Sequence, residues 1–358
     1  MSAEPTTRAV APLPDARPGA QVTSVARRAA GPARVADARA RRVLVGLGLA
    51  VVGACAAFLT VGAVGPWDFV LAFRGVKLAA LLLVAVAVGV STVLFQTVTE
   101  NRVLTPSIMG FDTLYVLLQT VVVFTTGTRV VAGLDPRLRF VAEVALMVAF
   151  AGLLFRWLFW GRRRSLHLLL LVGIVLGVLF RSLAQFLQRI IDPNAFAVLQ
   201  SALFASVNGV DRSLLAVSAV LVGAALVVAW RLRHALDVLT LGRDSAVVLG
   251  VDHRSVVATV LALVAVLVAV STALVGPVTF FGLLVAALAH QVLRSHHHRH
   301  LLPAAALIGA LCLVGGQTVL ERVLGYESAL SVVIEFAGGL VFVVMLLRAA
   351  RRGTEVAR

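Results

Sequence analysis

From Val43 to about residue 348 the chain alternates long apolar runs with short polar breaks. A helix needs about 20 apolar residues to cross the hydrocarbon core of a bilayer. On that rule the pattern predicts ten transmembrane helices, near 43–64, 77–98, 109–126, 139–159, 166–186, 213–230, 255–275, 280–293, 301–320 and 330–348. The eighth is short for a full crossing and follows Gly276-Pro277, which predicts a tilted or broken helix. Two breaks are too long to be turns. Within 187–212, Asp192-Pro193-Asn194 precedes a stretch from Ala195 to Phe204 that predicts a short helix lying outside the bilayer, capped by Asp192 or Asn194. Within 231–254, Gly242 and Gly250 bracket Ala246 to Leu249, which predicts a short amphipathic helix suited to docking a partner.

Residues 1–42 are rich in Ala, Arg and Pro and lack apolar periodicity, so they read as a disordered basic tail. Residues 43–350 then form the membrane domain and 351–358 a second short tail. A weak echo runs through the domain. Thr105-Pro106, with Gly110 after it, precedes the third helix, and Gly276-Pro277, with Gly282 after it, precedes the eighth. The two lie five spans apart and so point oppositely, as inverted repeats require.

Composition narrows the class. The chain is 60% hydrophobic and 14% charged, against roughly 25% charged in a soluble domain. The expected fold class is an all-α polytopic membrane protein, which excludes soluble enzymes. The net charge of +15, carried by 31 Arg and the single Lys77, would otherwise suggest nucleic acid. Topology absorbs it. With both termini inside, 23 basic residues fall on inner segments and 9 on outer ones, so the positive-inside rule puts both ends in the cytoplasm of a cell-membrane protein, with lipid and not nucleic acid around it.

Candidate chemistry is sparse. Cys55 and Cys312 sit in apolar runs and read as buried thiols. Val52-Gly53-Ala54-Cys55 resembles a lipoprotein cleavage box, but cutting there would halve the first helix. Lys77 follows Val76, so the chain has no Gly-Lys pair and no phosphate-binding loop. Any ATP consumed is hydrolysed by another chain. His296-His297-His298-Arg299-His300 reads as a basic, headgroup-facing loop and not a metal site, because consecutive histidines diverge and no Cys or carboxylate is near. The ionisable residues noted at membrane depth are Glu143, expected to reach water at an outer end, His290 and Glu335. Their scarcity argues against a proton-driven carrier.

Four motifs carry a resemblance. Asn101-Arg102-Val103-Leu104-Thr105-Pro106-Ser107-Ile108-Met109-Gly110 resembles the N-P-L-A-x-P-x-x-L-G segment of the iron-chelate (FecCD-type) importer permeases. Leu241 to Val251 resembles their L-G-x-x-x-A-x-x-L-G-V signature, Gly276 to Leu283 their G-P-I-x-F-x-G-L, and His300-Leu301-Leu302-Pro303 with Gly309 their R-x-L-L-P…G. The match covers about 45–350 and shares its fold with the vitamin B12 importer's membrane subunit. It implies a ten-helix type II permease paired with a second permease subunit, identical or paralogous. Two ATP-binding subunits would dock on the cytoplasmic side and a siderophore-binding lipoprotein outside. No cofactor is expected on this chain, with ATP and Mg held by the partner ATPase.

The resemblance also assigns roles. Leu241, Gly242, Arg243, Asp244, Ala246, Leu249, Gly250 and Val251 would form the ATPase-coupling helix, although the family's acidic pair is replaced here by Arg243-Asp244. Arg74, Lys77 and Arg322 align with basic residues that meet the binding protein. Thr105, Pro106, Ser107, Gly110, Gln185, Gly276, Pro277, Gly282 and Glu335 become candidate pathway or gate positions. The implied function is import of a ferric siderophore by alternating access. A secondary ion-coupled carrier, or a permease for cobalamin or haem, stays open at this point.

Overall fold

A computed structural model describes residues 18–63, 66–133, 135–159, 166–203, 206–207, 210–293, 295–322, 332–336, 338–340 and 343–344. The chain runs through α1 (Pro18–Thr60), α2 (Trp67–Thr99), a 3-10 turn at Pro106–Met109, α3 (Phe111–Gly133), α4 (Pro136–Phe159), α5 (Leu166–Gln188) and α6 (Pro193–Leu203). It continues through α7 (Arg212–Arg231), α8 (Arg233–Leu239), α9 (Arg243–Val248), α10 (His253–Val275), α11 (Phe281–Leu293) and α12 (His298–Arg322). The described residues form helices and no strands. A helix satisfies its backbone groups internally, which a bilayer core demands.

Seven helices are long and apolar enough to cross, with spans at Asp37–Thr60, Val70–Thr99, Pro136–Arg156, Leu170–Gln188, Arg212–Arg231, His253–Val275 and His298–Arg322. Two shorter apolar helices, Phe111–Gly127 and Phe281–Leu293, stand where the third and eighth spans are expected. The expected tenth span is described only in helical pieces at 332–336, 338–340 and 343–344.

One boundary moves. α1 begins at Pro18 and not at Val43, so residues 18–42 are helical where a disordered tail was expected. Ala and Arg are strong helix formers, and they carry the helix beyond its apolar part. Residues 1–17 and the tail at 351–358 lie outside the described residues.

The bundle is layered by burial. α2 and α10 are mostly enclosed, whereas α1, α4, α5 and α7 expose Leu49, Leu138, Val178 and Val220. So apolar a rim suits lipid and not water. At the centre, α2 and α12 cross where small residues allow it. A Cβ on Gly89 would stand 2.9 Å from the Ala305 carbonyl oxygen, and one on Gly309 2.8 Å from that of Ala85. Close backbone approach of this kind is how membrane helices gain packing without a hydrophobic drive. α6 is the short helix expected outside the bilayer, and Asp192 Oδ1 accepts the Asn194 backbone N–H at 2.9 Å.

Candidate functional site

Two helix breaks meet in the middle of the bundle. After α2, Thr105 is extended, Pro106–Met109 make one 3-10 turn, and Gly110 turns into α3 at φ 90°. Gly110 packs on α5, where its Cβ would lie 3.1 Å from Gly177 Cα. α10 ends at Gly276 with φ 100°, and α11 starts five residues later. Both conformations favour glycine, which lacks the Cβ that L residues cannot place there. Between the breaks lies a cavity of about 20 Å³, lined by Thr92, Thr105, Pro106, Ser107, Asp112, Ser271, Thr272, Gly276, Thr279 and Gly282 among others. The sequence-predicted Thr105, Pro106, Ser107, Gly276 and Gly282 are thus brought to one place, from segments some 170 residues apart.

Other predicted pathway residues sit differently. Pro277 and Gln185 do not line the cavity, and Gln185 is exposed on α5. Glu335 lies near the backbone of Thr279, which lines the cavity. Sequence reasoning missed Asp112 and Thr279. Ser107 and Thr279 approach the Asp112 carboxyl as hydrogen-bonding neighbours, and its Oδ2 is buried without a partner. A charge two residues beyond Gly110, inside a predicted span, was the available signal.

At one end of the bundle α8 and α9 form a hairpin. Gly242 holds φ 89° and ψ 162°, Gly250 holds φ 81°, and the six residues between Gly242 and Leu249 make α9. Ala246 is fully buried beneath it, and Val251 is partly buried against the core. The exposed face carries Leu241, Val247, Val248 and Leu249, with Val248 85% exposed, and Arg243 and Asp244 lie in the open beside them. Ala246 is therefore an anchor for the helix and not part of a surface that a partner could touch. Val247 and Val248 take its place.

The hairpin is tied to the bundle by Asp237 on α8. Its Oδ1 accepts the backbone N–H of His298 at 2.7 Å and lies 2.7 Å from His298 Nδ1, and its Oδ2 lies 3.3 Å from His297 Nδ1. A carboxylate at that backbone N–H caps the amino end of α12 from another element. His298 Nε2 reaches Thr97 Oγ1 on α2 at 2.8 Å, so one side chain joins α2, α8 and α12. Burial alone would raise the Asp237 carboxyl. Hydrogen bonds from the His298 side chain and backbone, with further help from His297, outweigh it and hold the group at about 2. His298 and His300 are buried, which corrects the headgroup-facing reading of that loop. The described residues contain no cluster of three or more His, Cys, Asp or Glu fit for a metal.

At the opposite end the three basic residues expected to meet a binding protein lie in one corner, largely occupied. Arg74 donates to the carbonyls of Phe58, Leu59, Val61 and Gly62 at 2.8–3.2 Å, closing the carboxyl end of α1, which has no basic residue in its own last turn. Lys77 is buried, 3.8 Å from Glu321 and 4.4 Å above the Phe73 ring. Its ammonium thus already has partners within the bundle. Glu321 lies far along the chain from Lys77, so nothing local in the sequence marks the pair. Arg322 is exposed, and its guanidinium lies against Gly62. Glu143, expected to reach water, is instead paired with Arg139 at 2.8 Å and bonded by Gln119 at 2.7 Å.

Broken helices around a polar cavity, a lipid-facing rim and an apolar hairpin projecting from one end define a polytopic helical transport subunit of the membrane. Comparison with known proteins supplies the family. Residues 42–348 match the model of the FecCD transport family, and the chain belongs to it. It is 43% identical over 302 residues to the petrobactin import system permease protein YclO of Bacillus subtilis, covering 84% of this chain and 95% of that protein. It is 36% identical over 275 residues to the petrobactin import system permease protein FatC of Bacillus anthracis, covering 77% and 78%. Among solved structures, an inward-facing metal-chelate type ABC transporter superimposes with a TM-score of 0.76 at 23% identity, covering 86% of this chain and 99% of that one, a likeness of fold.

Proposed function

We propose that this chain is the membrane-spanning permease subunit of an ATP-driven importer that brings a ferric siderophore across the cytoplasmic membrane. The observation that carries the reading is the α8–α9 hairpin. It presents Leu241, Val247, Val248 and Leu249 to solvent from a clasped, glycine-bracketed turn, which on a protein without a partner would be a needless exposed apolar patch. Relatives named as petrobactin import permeases give the cargo class, an iron chelate of that kind.

In this reading an ATP-binding subunit receives the exposed face of α9 in a groove, with Arg243 and Asp244 at its polar rim. When the ATPase pair closes, the hairpin moves as a rigid piece, because Ala246 is buried below it and Asp237 fixes it to α12 and, through His298, to α2. α2 also borders the central cavity, so motion at the hairpin reaches the helix breaks. The chain supplies the passage and no hydrolysis. A second permease subunit completes the pathway, a siderophore-binding lipoprotein delivers cargo from outside, and both termini face the cytoplasm, with ATP and Mg on the ATPase subunits.

Replacing Val248 or Leu249 by Asp tests this. Cargo-stimulated ATP hydrolysis by the assembled complex should fall to its basal level, while capture of the binding protein on the other face is retained. Full stimulation with either variant would remove the hairpin from the ATPase interface.

A further inference from the structure

Part of the wall of the cavity between the two helix breaks presents acceptors. Thr92 Oγ1 donates to the Val88 carbonyl at 2.8 Å, Ser91 Oγ to the same carbonyl at 3.0 Å, and Ser271 Oγ to the Val268 carbonyl at 3.0 Å. A hydroxyl has one proton and two lone pairs. These three have spent their protons within their own helices, so the cavity they line meets only their lone pairs. Asp112 adds a carboxylate whose Oδ2 is buried without a partner. The last turn of α10, ending at Gly276, brings its carboxyl end to the same space, and that end of a helix carries partial negative charge.

The donors that meet Asp112 are the side-chain hydroxyls of Ser107 and Thr279, which line the same space. The amino end of α3 eases the charge on Asp112, which lies in its first turn, but leaves Oδ2 unpaired. The charged groups acting on Asp112 are Glu335, which repels it, and Arg181, which attracts it. A carboxylate oxygen left without a partner at membrane depth is costly. The space, about 20 Å³, holds one water-sized particle. Thr279, which lines it, is exposed.

We propose that this cavity is a binding site for one small monovalent cation, of sodium's size and charge, held by Asp112 and the hydroxyl oxygens of Thr92 and Ser271. Hard cations take oxygen ligands, and a single carboxylate matches a single positive charge. Broken helices offering carbonyl ends and lone pairs are a recurrent way for membrane proteins to hold such ions. An occupant here would tie the start of α3 to the end of α10, bracing both breaks at once.

The test is thermal unfolding of the purified chain in lipid nanodiscs, at fixed pH and ionic strength, in sodium, potassium or choline chloride. Sodium should raise the midpoint of the wild type by several degrees in a saturable way, choline should not, and Asp112→Asn should abolish the response. If Asp112→Asn does not fold, Thr92→Val removes a ligand while keeping the shape and should weaken the sodium response at least several-fold. Equal midpoints in all three salts would mean that the cavity holds water and would overturn the proposal. So would a sodium response that survives in Asp112→Asn. A wild type that responds to pH in choline but never to sodium would assign the neutralising role to a proton and overturn it equally.

Discussion

Single residues carry more of the architecture than their chemistry suggests. Lys77 is the one lysine in the chain, and it is buried against Glu321. Removing one partner of a buried pair leaves the other charge uncompensated, at a cost of about 3–5 kcal/mol. Lys77→Met should therefore lower the midpoint of thermal unfolding clearly, and Lys77→Met with Glu321→Leu should recover much of the loss. A single variant as stable as the wild type would show that the pair is not closed. Asp237 makes a pH prediction. Its carboxyl is held at about 2 against an ordinary 3.8, so its stabilising bonds are fully present above the ordinary value and fade as pH falls through the folded one. The stability gap between wild type and Asp237→Asn should close as pH drops from about 4 toward 2. A gap that stays open through that range would contradict the assignment. Neither partnership was legible in the chain. Glu321 and His298 lie far from Lys77 and Asp237 in sequence, and nothing local marks them as neighbours.

At the scale of elements the sequence is most readable where period and punctuation coincide. The apolar runs locate the spanning helices, and Gly242, Gly250, Gly110 and Gly276 mark turns that do adopt positive φ. Glycines inside helices are harder to read, because the same residue serves packing at one position and nothing at another. On α12, a Cβ at Gly309 would meet the Ala85 carbonyl oxygen at 2.8 Å, while one at Gly315 meets nothing within 4 Å. Gly309→Ala should push α2 and α12 apart and destabilise by about 1–3 kcal/mol, the usual cost of overpacking. Gly315→Ala should be neutral or stabilising by about 0.5–1 kcal/mol, the helix-propensity gain. Matched unfolding curves for the two variants check this, and equal effects would mean that the helices do not cross at Gly309. Where a helix starts is less legible than where it crosses. α1 extends back to Pro18 because helix propensity, unlike lipid burial, does not need apolar residues.

For the whole molecule, the ten-span pattern and the four motifs made the fold class and family readable before any packing was known. What they could not give was the interior. The cavity needs Thr92, Asp112 and Ser271 from three helices, and the acceptors it offers depend on where the Thr92 and Ser271 hydroxyl protons are already spent. Topology belongs to this scale as well. A single cysteine placed at Val248, in a chain with Cys55 and Cys312 replaced by Ala, should react with an impermeant thiol reagent only when the inner side of the membrane is opened. Labelling from intact cells would invert the orientation. The most direct measurement is uptake by proteoliposomes holding this chain, its partner permease and the ATPase, with the binding protein and radio-iron-loaded petrobactin supplied outside and ATP within. Iron should accumulate only when ATP, ATPase and binding protein are all present, and an imposed ion gradient alone should move none. Accumulation driven by a gradient without the ATPase would contradict the reading of this chain as an ATP-driven permease subunit.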